Sequence, residues 1–481
     1  MMSFLRISAL MTMACSILVP GIQAQNLVKS TFLRTYPKAE IGVFIPIPGF
    51  VKYDVDVYKL EYSTSNVQGK PDTASGLLAV PAVKNLSLPL LVYQHGTASS
   101  REAVPSRLSF EATVGLVGGA LGYVSVLPDY LGLGDSDGFH PYLHAKTEAS
   151  AGVDMLRAAR QFAASVNMAL NGQVFVSGYS QGGHAAMALH RELETNLSAE
   201  FKVTASAPMS GPYSISGDMK NRLLSEEEYF YPGYPLYTML SYNLAYGVYD
   251  SLAQFIRAPY LSIAKAFYSG EETRIDSIHA RLARALILEK GKVVPKYIFP
   301  DTLLAAIASN PAHPVNAALS DNDVYKWSPK APTRLFYCRA DDQVVYTNSL
   351  LADSVMRSLG SVDIQAVDLN PNFNHGQCVQ PALLSTILFF SFYQTTPTGT
   401  EDQLPELPVY MYPNPASGSF TLEGLPAQNM VHLTDLSGRL LRRIPAGEGA
   451  QTISLSGLNR GMYLVRVMSN AGVWTGKLMV E

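Results

Sequence analysis

Three cysteines, two tryptophans and a charged fraction of 16% are what this 481-residue chain has little of. Basic residues do not exceed acidic ones (36 Lys and Arg against 39 Asp and Glu, formal charge −3), so a nucleic-acid partner is not expected. Sparse charge together with 27 tyrosines excludes a disordered, solvated chain. Apolar runs stay short. "ISALMTMACSILVP" after Arg6 and "ALLSTILFFSF" near residue 387 both fall below the ~18 residues a membrane-spanning helix requires. The sequence has no H-E-x-x-H, no Cys/His cluster and no dinucleotide fingerprint, so neither a metal nor another cofactor is expected. "LGLGDSDG" is rich in glycine but follows Pro128-Asp129 and opens no helix; it reads as a turn.

What is present suggests export. A basic start, a short apolar core and the small-residue exit "GIQA" read as a signal peptide over residues 1–24, cleaved after Ala24. Beyond it only Cys338 and Cys378 remain.

Residues 25–395 alternate short apolar runs ("LPLLVYQ", "GYVSVLP", "QVFVSG", "RLFYC", "DIQAVDL") with helical stretches. In one of these, Val153, Leu156, Ala159, Ala163, Val166 and Leu170 are expected on a single helical face. Such alternation predicts an α/β fold, a mostly parallel sheet with helices on both faces. Residues 212–330 interrupt it with Tyr- and Pro-rich sequence, expected to form an inserted cap over the carboxyl edge of the sheet. A polar linker at 396–408 then precedes brief alternating runs over 409–481, which predict a small all-β, Ig-like sandwich.

Gly178-Tyr179-Ser180-Gln181-Gly182 fits G-x-S-x-G between a strand and a helix. A sharp turn there exposes the serine hydroxyl above the sheet edge. On such a sheet the acid and the base follow the serine in chain order, each after a strand. "RLFYC" leads into Asp341 and Asp342, and "DIQAVDL" into His375, whose neighbours Asn374 and Gly376 suggest an exposed loop. Asp341 is preferred as the acid because Val344 then takes the place of the valine that follows the acid in hydrolases; Asp342 would cap or face solvent. His184, one turn into the following helix, reads as packing or capping. The oxyanion hole is expected from the amides of Gln181 and of Thr97, in the loop after "LPLLVYQ". Cys338 lies three residues before Asp341 and Cys378 three after His375, so hydrogen bonding between Asp341 and His375 would bring the cysteines within reach of a disulfide.

"PDYLGLGDSDGFHPYLH", "AGVDMLRAAR" and "GYSQGGHAAMALH" together resemble the α/β-hydrolase fold, and more narrowly its secretory lipases. The resemblance spans about residues 75–395, excepting 212–330. It implies hydrolysis of small-molecule or lipid carboxylic esters with Ser180, Asp341 and His375 as the triad. A serine exopeptidase on the same fold, or a surface adhesin without activity, stays open at this point. "VYMYPNPASGSFTL", "VHLTDLSGRLL" and "GMYLVRV" resemble the type IX secretion sorting domain of bacteroidete bacteria. That resemblance implies recognition by the type IX machinery and a secreted or outer-membrane-surface destination.

Overall fold

A computed structural model describes residues 26–45, 50–395, 407–435, 440–469 and 471–481. The expected signal peptide and most of the expected linker lie outside the described residues. Nine strands form the main sheet: β1 (Leu27–Tyr36), β2 (Val55–Ser65), β3 (Pro71–Pro81), β4 (Ser87–Gln94), β5 (Val124–Pro128), β6 (Ala169–Tyr179), β7 (Lys202–Met209), β8 (Thr333–Tyr337) and β9 (Ile364–Asp368). Their order is β1-β2-β3-β5-β4-β6-β7-β8-β9. From β5 to β9 neighbours run parallel, while β1, β2 and β3 extend the other edge as antiparallel neighbours.

Every residue of β5 and β8 is buried, which explains why these strands read as continuous apolar runs. Successive side chains serve opposite cores. Leu91, Tyr93 and Phe175 face the helices Ala112–Ala120 and His375–Ser391, with Leu116, Phe389 and Phe390. Leu90, Val92, Val174 and Val176 face Ala145–Ser165 and Gln181–Thr195, with Leu156, Phe162 and Leu189. The helix expected to reach Leu170 ends at Ser165: Asn167 takes a positive φ of 54°, Val166 is exposed, and Leu170 already lies on β6. Gly172 and the β-branched residues after it favour the strand, which overrides the helical period.

After β7 the chain leaves the sheet and returns only at β8. Between them, helices that include Gly233–Tyr246, Ala258–Tyr268 and Ile275–Lys290 close around their own core of Leu240, Phe255, Tyr260, Ile278 and Phe299. The C-terminal residues form two antiparallel sheets from β10 (Tyr410–Tyr412), β11 (Ser419–Leu425), β12 (Asn429–Asp435), β13 (Leu440–Ala446), β14 (Gly449–Ser454), β15 (Gly461–Ser469) and β16 (Gly472–Val480). The three-stranded sheet β10-β11-β14 and the four-stranded sheet β13-β12-β15-β16 share a core that contains Phe420, Leu422, Val431, Val465 and Leu478.

Candidate active site

β6 ends at Tyr179, the helix Gln181–Thr195 begins at once, and Ser180 alone makes the turn, at φ 60° and ψ −121°. That conformation costs a non-glycine residue about 1–3 kcal/mol, so the surroundings must impose it. They do so by proximity. A Cβ on Gly182 would sit 1.9 Å from the Gln94 carbonyl oxygen, and one on Gly178 would sit 2.2 Å from the Gly182 oxygen. Glycine at both places lets strand and helix meet. The Ser180 amide then donates to the Met209 carbonyl at 3.0 Å, tying the turn to β7.

Asp341 follows β8 and His375 follows β9. Asp341 Oδ2 lies 2.6 Å from His375 Nδ1, with both side chains almost wholly buried. Its Oδ1 accepts the Gln343 and Val344 amides at 2.9 and 2.8 Å, so the carboxylate is held from both ends. Asp342 does not meet the ring. It accepts the His375 backbone amide at 3.1 Å and the Tyr231 hydroxyl at 3.3 Å. The Tyr179 hydroxyl donates to the His375 carbonyl at 2.6 Å, which joins the histidine to the residue before Ser180. His375 is not in an exposed loop, as its polar neighbours suggested. It is the first residue of the helix His375–Ser391, and Asn374 does capping work there: Asn374 and Gln377 form a reciprocal capping box. Cys338 and Cys378 are joined as a disulfide, with Cα atoms 5.9 Å apart. Among the described residues Ser180 Oγ makes no hydrogen bond to His375.

The loop after β4 passes beside Ser180: a Cβ on Gly96 would lie 3.9 Å from the Ser180 Cβ. Glu111 accepts the Gly96 amide at 3.2 Å through Oε1 and the Tyr93 hydroxyl at 3.0 Å through Oε2. The backbone amides of Thr97 and Gln181 donate to no partner among the described residues, while the Thr97 hydroxyl meets Tyr142 at 3.0 Å. Among these residues no group of three His, Cys, Asp or Glu is placed to hold a metal.

A buried polar network behind the elbow escapes sequence reasoning. Gln181 Nε2 meets Glu148 Oε1 at 3.0 Å and His140 Nε2 at 2.8 Å. His140 Nε2 must therefore accept, which leaves Nδ1–H to donate to the Leu131 carbonyl at 2.7 Å. Burial pushes His140 down to about 4, consistent with a neutral ring. His184 does more than pack or cap: it bridges Glu148 Oε2 at 2.6 Å and the Asn322 carbonyl at 2.8 Å. These partners are separated from His184 by 36 and 138 positions, beyond any local pattern.

Ser180 and Gln181 line a cavity of about 820 Å³, counted with the space open to solvent. Its walls come mainly from the inserted cap, including Ile215, Met219, Tyr229, Tyr234 and Met239. The cap also holds the acid loop through tyrosine hydroxyls. Tyr229 donates to the Gln343 carbonyl at 2.9 Å and Tyr234 to Gln343 Oε1 at 3.3 Å, beside the Tyr231 bond to Asp342.

The family described as secretory lipase matches residues 109–208, and the secretion system C-terminal sorting domain matches residues 410–481. No curated protein matches the chain by sequence. Among solved structures, the rice cell wall degrading esterase LipA of Xanthomonas oryzae is 30% identical, covers 76% of this chain and 95% of its own, and superposes with a TM-score of 0.64. A Legionella pneumophila protein assigned to the hydrolases is 26% identical over 79% of this chain and 100% of its own, at a TM-score of 0.70. Candida antarctica lipase A, 17% identical over 73% of this chain and 77% of its own, shares the fold at a TM-score of 0.53.

Proposed function

The chain belongs to the secretory lipase family and carries a secretion-system sorting domain; from that premise we propose that this exported carboxylic ester hydrolase works through an acyl-enzyme on Ser180. The observation that carries the mechanism is the 2.6 Å contact between Asp341 and His375, with the histidine anchored through its carbonyl to the residue before the elbow serine. His375 Nδ1–H donates to Asp341, so Nε2 is the free base. It takes the Ser180 proton as Oγ bonds to the ester carbonyl carbon. The carbonyl oxygen becomes an oxyanion facing the amides of Thr97 and Gln181. As the C–O bond breaks, His375 returns the proton to the departing alkoxide. Water, deprotonated by the same nitrogen, then attacks the acyl-serine; the carboxylic acid leaves and Ser180 regains its proton.

The C-terminal domain supplies the address, by resemblance that of the type IX route, and leaves the chemistry to the larger sheet. A fluorophosphonate probe followed by peptide mass spectrometry tests the mechanism. The expected label is on Ser180 alone, and Ser180→Ala is expected to lose both label and ester turnover. Full esterase activity in that variant would refute the proposal.

A further inference from the structure

The cavity beside Ser180 is lined by a cationic residue for which the reaction above has no use. Its walls are largely apolar, yet Lys220 lines it, and no Asp or Glu does. The segment that delivers Lys220 is itself irregular. Ile215–Met219 winds as a π-helical turn, with Ser214 Oγ accepting the Asp218 amide at 3.3 Å, before the short helix Lys220–Leu224 begins. Widened turns of this kind redirect side chains and recur at functional sites. Here Ile215, Met219 and Lys220 all reach the cavity.

Lys220 is half-buried, and among the described residues its ammonium meets only a neutral acceptor, Asn316 Oδ1, at 3.3 Å. No ion pair among the described residues includes it, and the carboxylates of the neighbouring segments are engaged elsewhere. Asp218 Oδ2 accepts the Thr347 hydroxyl at 2.9 Å. Asp323 is held by Ser216 at 2.9 and 2.6 Å and by Lys326 at 2.8 Å. Glu226 pairs with Lys292 and Lys296, Glu227 with Arg222, and Glu228 Oε1 accepts the Val293 amide. Arg222, the other cation on the wall, therefore already has its counter-ion. Lys220 does not. A cation against apolar walls with no carboxylate beside it favours an anion that arrives with the ligand.

We propose that the preferred esters carry an anionic group remote from the scissile bond, received by Lys220 while the apolar walls take the intervening chain. This rests on the esterase reading and on Ser180 as its centre. The anion is a carboxylate, phosphate or sulfate at the far end of either the acyl chain or the alcohol. The whole molecule carries a formal charge of −3 and offers anions no general attraction, so the preference is local to this cation.

Two substrate pairs assayed on the full chain test it. For the acyl half, p-nitrophenyl hydrogen suberate is compared with its neutral methyl ester. For the alcohol half, 8-(octanoyloxy)octanoate is compared with its neutral methyl ester, read as release of octanoate. In one pair the anionic member is expected to have a kcat/KM about fivefold higher, carried by KM and weakened in about 0.5 M salt. Lys220→Gln is expected to bring that ratio to about one, Lys220→Glu to reverse it, and Lys220→Arg to keep it. Ratios at or below one in both pairs, or a preference that survives Lys220→Gln, would overturn the proposal. Failure of the wild-type protein to hydrolyse any of the four esters would count against the esterase reading instead.

Discussion

Asp341 and Asp342 are neighbours in the chain but hold different parts of one histidine, the first its ring and the second its backbone amide. Their loss should differ accordingly. Asp341→Asn leaves the shape but favours the wrong ring tautomer, and kcat should fall on the order of 10⁴-fold. Asp342→Asn keeps an acceptor for the amide, and its loss of kcat should be far smaller. Equal losses in the two variants would show that the ring contact has no special role. Glu111 acts at one remove, since its carboxylate occupies the Gly96 amide and so sets how the next amide, that of Thr97, is presented. Glu111→Ala should lower kcat with KM nearly unchanged, and Glu111→Gln should recover part of it by still accepting that bond. A change confined to KM would rule this positioning role out.

At the scale of elements, the disulfide joins the segment after β8 to the helix that starts with His375, closing a loop with a sequence separation of 40. Closing a ring of that size is worth roughly 4 kcal/mol against the unfolded chain. Replacing both Cys338 and Cys378 by serine should therefore lower the melting temperature of the catalytic domain; an unchanged melt would contradict this. These elements also show what sequence reading reaches. That Ser180, Asp341 and His375 each come after a strand of one sheet is legible, because apolar runs mark β6, β8 and β9 in chain order. The environment of His375 is not. Asn374 and Gly376 suggest a loop by composition, whereas Asn374 with Gln377 forms a helix cap, since asparagine serves loops and helix caps alike. The Glu148–His184 pair is invisible for another reason: it depends on two helices meeting behind the elbow, and nothing local marks either residue. The end of the helix at Ser165 is not legible, because Leu170 continues its apolar period in sequence while belonging to β6 in space.

For the whole molecule, three histidines, two buried and one half-buried, set a response to acid. Burial lowers His140, His279 and His432 to about 4 each, with His432 lowered further by Arg443 and Arg466. In the unfolded chain each takes a proton near pH 6.5. Between pH 6.5 and 4 the unfolded state therefore binds protons that the folded state refuses, and stability falls as pH falls. For His140 alone the loss is on the order of 3 kcal/mol once pH is below 4. Asp129 works the other way, because burial raises its carboxyl and it takes up a proton sooner when folded. Melting temperatures measured from pH 7 to pH 4.5 should decline, and His279→Asn should make the decline shallower; parallel curves would refute the assignment. The cystine has a consequence of another kind for an exported enzyme. Its ring encloses the bend around Gly360, where Leu359 is 51% and Val362 88% exposed. A protease that nicks the chain there leaves Asp341 and His375 on separate polypeptides still joined by one covalent bond. The cut enzyme stays a single molecule until a reductant reaches it.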